Sequence, residues 1–151
     1  MTVRCFVDTN VLICLHDRSQ ARLRALTRHS LRSIRRNGEL VVSAQVMQEF
    51  YALAARRFPF ASRDVIRDFL RDLLPACHTG TSSELMGAAW RIEDRFKFDW
   101  WECLMVASAV TAQCRLLVSD AIEDGLEVER TLIVNPFKTD IETVFATLKD
   151  R

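Results

Sequence analysis

Glycine and proline are scarce in this 151-residue chain, at four and three residues. That scarcity excludes collagen-like, low-complexity and loop-rich β designs and favours helices with short connections. Long hydrophobic runs are missing too. No apolar stretch reaches the roughly 18 residues that a bilayer span needs, so no membrane is expected as a partner. The N-terminal apolar segment is broken by Asp8 and Asn10 and has no small-residue cleavage site, unlike a signal peptide. The expected location is the cytoplasm. Cysteine pairing signals are absent as well: Cys5, Cys14, Cys77, Cys103 and Cys114 are odd in number and form no CxxC. Most lie in apolar segments, where cysteine acts as a small buried hydrophobe. His16, His29 and His78 are scattered without ligand spacing to a cysteine, so zinc is not expected. There is no glycine-rich phosphate loop. His16 and Ser43 have no visible partners for a nucleophilic triad.

What is present is an alternation of strand-like and helix-like segments, which predicts an α/β fold with a mostly parallel sheet. The length suits a single domain over 1–151 with a proper core. "VRCFVD" reads as a first strand, followed by a short helix and a longer one over "QARLRALTRHSLRSIRR" that stops at Asn37-Gly38. "ELVVS" is a second strand, and Ser43 can cap the helix carrying Glu49. Pro75 ends the helix "RDVIRDFLRDLL", and a short extended piece follows near Cys77. Thr81 with Glu84, and Thr139 with Glu142, are capping-box patterns ahead of two further helices. The most apolar helix runs from about Trp101 to Gln113. "RLLVS" and "TLIVNPF" are strands on either side of an acidic loop.

Four acidic residues sit where a chain rarely puts charge. Asp8 closes the first apolar run, Glu49 lies inside "VMQEFYALAA", Glu102 is the sole ionisable group of "WWECLMVASAVTA", and Asp120 follows "LLVSD". An unpaired buried carboxylate costs several kcal/mol, roughly, and a shared hard divalent cation is a ready compensation. Asp8 and Asp120 each follow a strand, at the carboxyl edge where parallel sheets collect ligands. Thr9, Asn10 and Ser119 are placed to orient ligands or water. Each acid also has a blander use: Asp8 as a helix cap, Glu49 as an arginine partner, Glu102 as a charge at a helix start, Asp120 as a solvated loop residue. Their joint convergence on one sheet edge favours a metal centre.

Net charge is only +1, yet seven arginines and no acid lie between Arg18 and Gly38. Arg24, Arg28, Arg32, Arg35 and Arg36 share one arc of a helical wheel, a face for phosphates or for the acids of a protein partner. Arg91 and Arg95 are alternative contacts. Trp90, Trp100 and Trp101 can stack bases, although core or dimer packing is the expectation for residues bordering apolar helices. Phe50 and Tyr51 read as core.

In order, "FVDTNVLI", "SAQVMQEFY", "AAWRIEDRFKFDWWECLMVASAV", "LLVSDAIEDG" and "TLIVNPF" resemble PIN-domain proteins, specifically the VapC-like toxins of toxin–antitoxin pairs. The resemblance spans residues 3–137. It implies a Rossmann-like three-layer α/β/α sandwich and Mg²⁺- or Mn²⁺-dependent endoribonuclease activity. It also implies a homodimer and a VapB-like antitoxin whose tail covers the active site. Residue by residue, Asp8 and Glu49 match the first two acids of that family. Glu102 stands where the family usually has Asp, and Asp120 takes the slot before the usual Asp, which here is Ala121. Asp124 and Asp99 are substitutes within reach. The expected enzyme therefore uses Asp8, Glu49, Glu102 and Asp120 as catalytic and metal-binding residues, hydrolysing RNA without a covalent intermediate. The alternatives are a degenerate PIN domain that binds RNA or a partner without cutting, and a nuclease acting on DNA or structured nucleic acid.

Overall fold

The first strand, β1 (Val3–Val7), enters half-buried at Val3 and Arg4 and then sinks into the interior: Cys5, Phe6 and Val7 are each 0% exposed. A strand without polar alternation has to be covered on both faces, and the rest of the chain covers it. The computed structural model describes residues 2–150. From β1 the chain passes through α1 (Thr9–Cys14) and α2 (Ala21–Asn37) to β2 (Gly38–Ser43), parallel to β1. It continues through α3 (Ala44–Arg57) and α4 (Arg63–Leu73) to the short β3 (Cys77–Thr79). Direction then reverses. α5 (Ser83–Phe96) and α6 (Trp100–Thr111) carry the chain back to β4 (Leu116–Val118), on the opposite side of β1. β6 (Thr131–Val134) pairs parallel to β4, and α7 (Ile141–Lys149) closes the chain.

The sheet order is β3-β2-β1-β4-β6-β5. Parallel crossovers are right-handed, so the reversal puts α1–α4 on one face and α5–α6 on the other. This is the expected α/β/α sandwich with a mostly parallel sheet. The switch point lies between β1 and β4, where Phe6 pairs with Leu117 and Val7 with Val118. Crevices open at such points outside the strand ends. α7 returns to α2 through the Arg36–Glu142 ion pair at 2.8 Å and the His29–Asp140 hydrogen bond at 2.9 Å.

Local details depart from expectation in four places. β5 (Glu127–Val128) is an antiparallel edge strand inside the loop expected to be irregular. α5 is capped by Ser82, whose hydroxyl accepts from the Leu85 amide at 3.1 Å, one residue beyond Thr81. α7 is capped by Asp140, which accepts from Glu142, one residue beyond Thr139. Gly38 does follow the last residue of α2, but not as a left-handed cap. Its backbone is extended (φ −156°), and a Cβ there would lie 2.3 Å from the Val3 carbonyl oxygen. The glycine permits close approach of β2 to β1. Ser43 caps α3 as expected, accepting from Val46 at 3.2 Å, and all five cysteines are free. Among the described residues no helix is long and apolar enough to cross a membrane.

Candidate metal centre

Asp8 leaves the end of β1 with its carboxylate buried, at 7% exposure. Its carbonyl starts α1 by accepting from Val11 and Leu12, but its side chain makes no cap. The carboxylate instead receives the Ser119 hydroxyl at 2.9 Å, from just beyond β4. Ser119 is itself 0% exposed and its oxygen accepts the Ala121 amide at 3.1 Å, which orients the hydroxyl proton toward Asp8. Burial raises the Asp8 pKa from 3.8 to about 6; the Ser119 and Thr9 hydrogen bonds oppose the rise, and the Asp120 and Glu49 charges add to it.

Glu49 lies on α3 and receives the Thr9 hydroxyl at 3.3 Å and the Gln45 amide at 2.9 Å. Gln45 stands four residues before Glu49, the spacing at which two helical side chains meet, and the hydrogen bond between them follows from it. Glu102 sits half-buried in the first turn of α6. Burial, and secondarily the neighbouring Asp99 carboxylate, hold its pKa above the usual value. Asp99 caps α6, accepting the Glu102 amide at 2.9 Å.

These groups share one cavity of about 210 Å³ lined by Asp8, Glu49, Asp99, Glu102 and the polar Thr9, Asn10 and Gln45, with Met105 and Trp101 beside them. Three of the four acids expected there, Asp8, Glu49 and Glu102, do line it. Asp120 does not: it is exposed, and Ala121 reaches the cavity in its place. Asp124 is committed elsewhere, accepting the Asn135 amide at 2.7 Å and the Thr139 hydroxyl at 2.6 Å. Asp99 lines the cavity, while Asp120 acts on Asp8 as a nearby charge. Burial is also narrower than expected, because Glu49, Asp99 and Asp120 are exposed and only Asp8 is deeply enclosed.

No Lys, Arg or His among the described residues pairs with Asp8, Glu49, Asp99, Glu102 or Asp120; the ion pairs of the molecule lie elsewhere. Four carboxylates therefore face one small space without a protein cation. Among the described residues, no three His, Cys, Asp or Glu groups stand close enough to hold one ion jointly. That geometry does not fit a closed, all-protein cage of the calcium or zinc kind. It fits Mg²⁺ or Mn²⁺ by donor type: Mg²⁺ demands hard oxygen ligands, binds through one or two carboxylates and keeps several waters.

The basic helix is partly committed. Arg36 pairs with Glu142, and Arg24 donates to the Leu15 carbonyl at 3.2 Å, while Arg28, Arg32 and Arg35 stay exposed. Arg91 is engaged by Glu129 at 2.8 Å. Phe50 is 1% exposed and Tyr51 packs on the core, as expected. Of the tryptophans, only Trp100 packs against the core; Trp90 and Trp101 are 55% and 63% exposed, so of the two packings expected, within the core or across a dimer, these two do not take the first. A second, larger groove of about 790 Å³ runs between α1, α2, α3 and α4, with Arg18, Arg24, Arg57, Phe60 and Val65 among its lining.

No protein-family model matches the sequence, and no curated protein does either. Solved structures do match in three dimensions. A chain of a toxin–antitoxin complex from Klebsiella pneumoniae aligns with TM-score 0.64 at 16% identity, over 87% of this chain and 97% of its own. A chain of VapBC2 from Rickettsia felis, bound to a DNA fragment from the promoter, gives 0.61 at 12% identity, over 88% and 98%. VapC20 of Mycobacterium tuberculosis, a sarcin–ricin loop cleaving toxin, gives 0.55 at 17% identity, over 75% and 86%. At these identities the likeness is one of fold, and it agrees with the fold that the motif resemblance implies.

Proposed function

We propose that this chain is a metal-dependent endoribonuclease of the VapC-like PIN type, acting as the toxin of a toxin–antitoxin pair. The observation that carries it is the cavity at the β1–β4 switch point, lined by Asp8, Glu49, Asp99 and Glu102 with no protein cation to balance them. Three lines support it together: the ordered motif resemblance, the shared fold of VapC20 and of the toxin–antitoxin chains, and the hard-oxygen donor set.

A Mg²⁺ or Mn²⁺ ion there would polarise a phosphoryl oxygen and lower the pKa of a bound water. The chain's own residues supply the rest. Ser119 fixes Asp8, Thr9 and Gln45 fix Glu49, and the Asp99 cap fixes the helix turn that presents Glu102. Uncompensated, these carboxylates repel a phosphodiester, so the substrate's approach depends on the cation. The Thr9 hydroxyl is engaged by Glu49 and the carboxylates are assigned to the cation, so water is the nucleophile and hydrolysis proceeds without a covalent enzyme intermediate.

The larger groove suits the antitoxin, as a segment carrying an acidic residue and a large apolar side chain. Arg18 and Arg24 offer charge, and exposed Phe60 and Val65 offer apolar contact. A homodimer in the cytoplasm completes this picture. The test is Mn²⁺-dependent cleavage of RNA, abolished by Asp8→Asn with the fold intact by circular dichroism. Co-expression with a small reading frame overlapping the gene start should suppress it.

A second reading, a PIN-like module that binds RNA or a partner without cutting, is favoured by two observations. Among the described residues no three acids stand within reach of one ion, and Ala121 occupies the loop position where an acid is usual. No cleavage and no Mn²⁺ binding by the unmutated chain would select it.

A further inference from the structure

Trp101 is 63% exposed, whereas its neighbour Trp100 packs against the core. Of the large hydrophobic side chains that stand exposed among the described residues, only Trp101 borders the carboxylate cavity. Its backbone is held firmly. It lies in the first turn of α6, where Asp99 accepts the Glu102 amide through its side chain and the Cys103 amide through its carbonyl at 3.0 Å. The cavity lining contains no Lys or Arg. A phosphodiester placed there gains no charge contact from the side chains, so the contacts that hold substrate at this spot beyond the cation are neutral ones. The rim offers a flat indole and the amides of Asn10 and Gln45.

Resting on the reading of this cavity as a ribonuclease centre, we propose that Trp101 is the base-stacking platform of the site. It takes the face of an unpaired nucleobase next to the phosphodiester in the cavity, so the site selects single-stranded or looped RNA over duplex. Aromatic stacking suits any base because every base has a π-face. In a duplex those faces are covered by neighbouring base pairs, and the base must be splayed out to reach the indole. The exposed Asn10 amide, on the same rim, is placed to meet a base edge. Trp101 acts here as a positioning residue that sets substrate form and affinity.

The test compares an oligouridine decamer with its abasic counterpart by fluorescence anisotropy. Ca²⁺ is the only divalent ion, and intact probe is verified on a gel. Stacking on one aromatic side chain contributes about 5- to 150-fold in affinity. The wild-type chain should prefer the base-bearing decamer by a factor in that range. Trp101→Ala should lose the preference while Trp101→Phe keeps most of it, and neither should alter binding of a short RNA duplex. In Mn²⁺-dependent cleavage, Trp101→Ala should raise KM with kcat nearly kept. The proposal is overturned if Trp101→Ala discriminates the two decamers as wild type does. It is overturned equally if the substitution leaves RNA affinity unchanged but converts a dimer to a monomer in sedimentation, making the indole a contact between copies. Retained base preference in a chain that cleaves nothing would keep the stacking platform and remove the nuclease. Cleavage lost in Asp8→Asn but insensitive to Trp101→Ala would do the opposite.

Discussion

Replacing Asp8 with asparagine should make the metal-free protein more stable while removing its response to metal. The Asp8 carboxyl, at 7% exposure, holds its proton up to about pH 6 in the folded chain against 3.8 ordinarily. Between those values the folded state binds more protons than the unfolded one, so stability falls as pH rises through this window. Above pH 6 the folded state carries the full cost of ionisation, about 3 kcal/mol for a difference of roughly two pH units. Asparagine removes that cost and can still accept the Ser119 hydroxyl, but its NH₂ group needs a new partner, at about 1 kcal/mol or more. The net gain expected is up to about 2 kcal/mol. For a domain of this size the unfolding entropy is about 0.3 kcal/mol per kelvin, which makes the rise in Tm up to about 6 °C. The assay is thermal unfolding at pH 7.5 in EDTA and again in Mn²⁺. In EDTA the wild-type Tm should fall between pH 4 and pH 6.5, and the variant should lose this part of the slope. Saturating Mn²⁺, at about a hundredfold over its Kd, adds about 2.7 kcal/mol to a chain that binds it, and only the wild type should show this. A variant less stable than wild type in EDTA, or one stabilised equally by Mn²⁺, would refute the reasoning.

Three other perturbations probe different joints. Ser119→Ala deletes the 2.9 Å hydrogen bond to the Asp8 carboxylate; since a bond to a charged group contributes about 1.5–3 kcal/mol, the pH midpoint of Mn²⁺ binding should move up by about one to two units. An unchanged midpoint would show that the hydroxyl is not holding the charge. Gly38→Ala forces a methyl to 2.3 Å from the Val3 carbonyl and should cost about 1–3 kcal/mol in urea unfolding; a neutral result would contradict the close approach of β1 and β2. Charge reversal at the exposed Arg28, Arg32 and Arg35 should weaken RNA binding and flatten its salt dependence by up to about 0.7 per lost phosphate contact to single-stranded RNA. An unaltered slope would assign that face to solvent or to a protein partner.

How much of this was legible in the residues differs from feature to feature. The strands were readable because β1 and β4 are uninterrupted apolar runs ending in polar residues, and the switch point placed Asp8 and the Ser119 segment side by side. The helix caps were displaced by one residue where two capping-competent side chains are adjacent, Thr81 with Ser82 and Thr139 with Asp140. Spacing alone does not choose between such neighbours; the direction of the incoming chain does. β5 has two residues, too few to show an alternation. The loop after β4 was harder to read. Ala121 lines the cavity and the Asp120 side chain is exposed, while Asp99, fixed as the α6 cap, also lines the cavity. Glu49 stood out as a charge inside an apolar helical segment, but the segment does not reveal that a cavity opens beside it. The exposure of Trp101 was hidden likewise, since an apolar helix start looks the same whether it borders core or cavity.

The most direct measurement is the anomalous difference density of a crystal grown or soaked in Mn²⁺. The account predicts a peak in the cavity bounded by Asp8, Glu49 and Glu102, with one or two carboxylates touching the ion and water completing its shell. Absence of a peak there at saturating Mn²⁺, or a peak only at other acids of the surface, would contradict it.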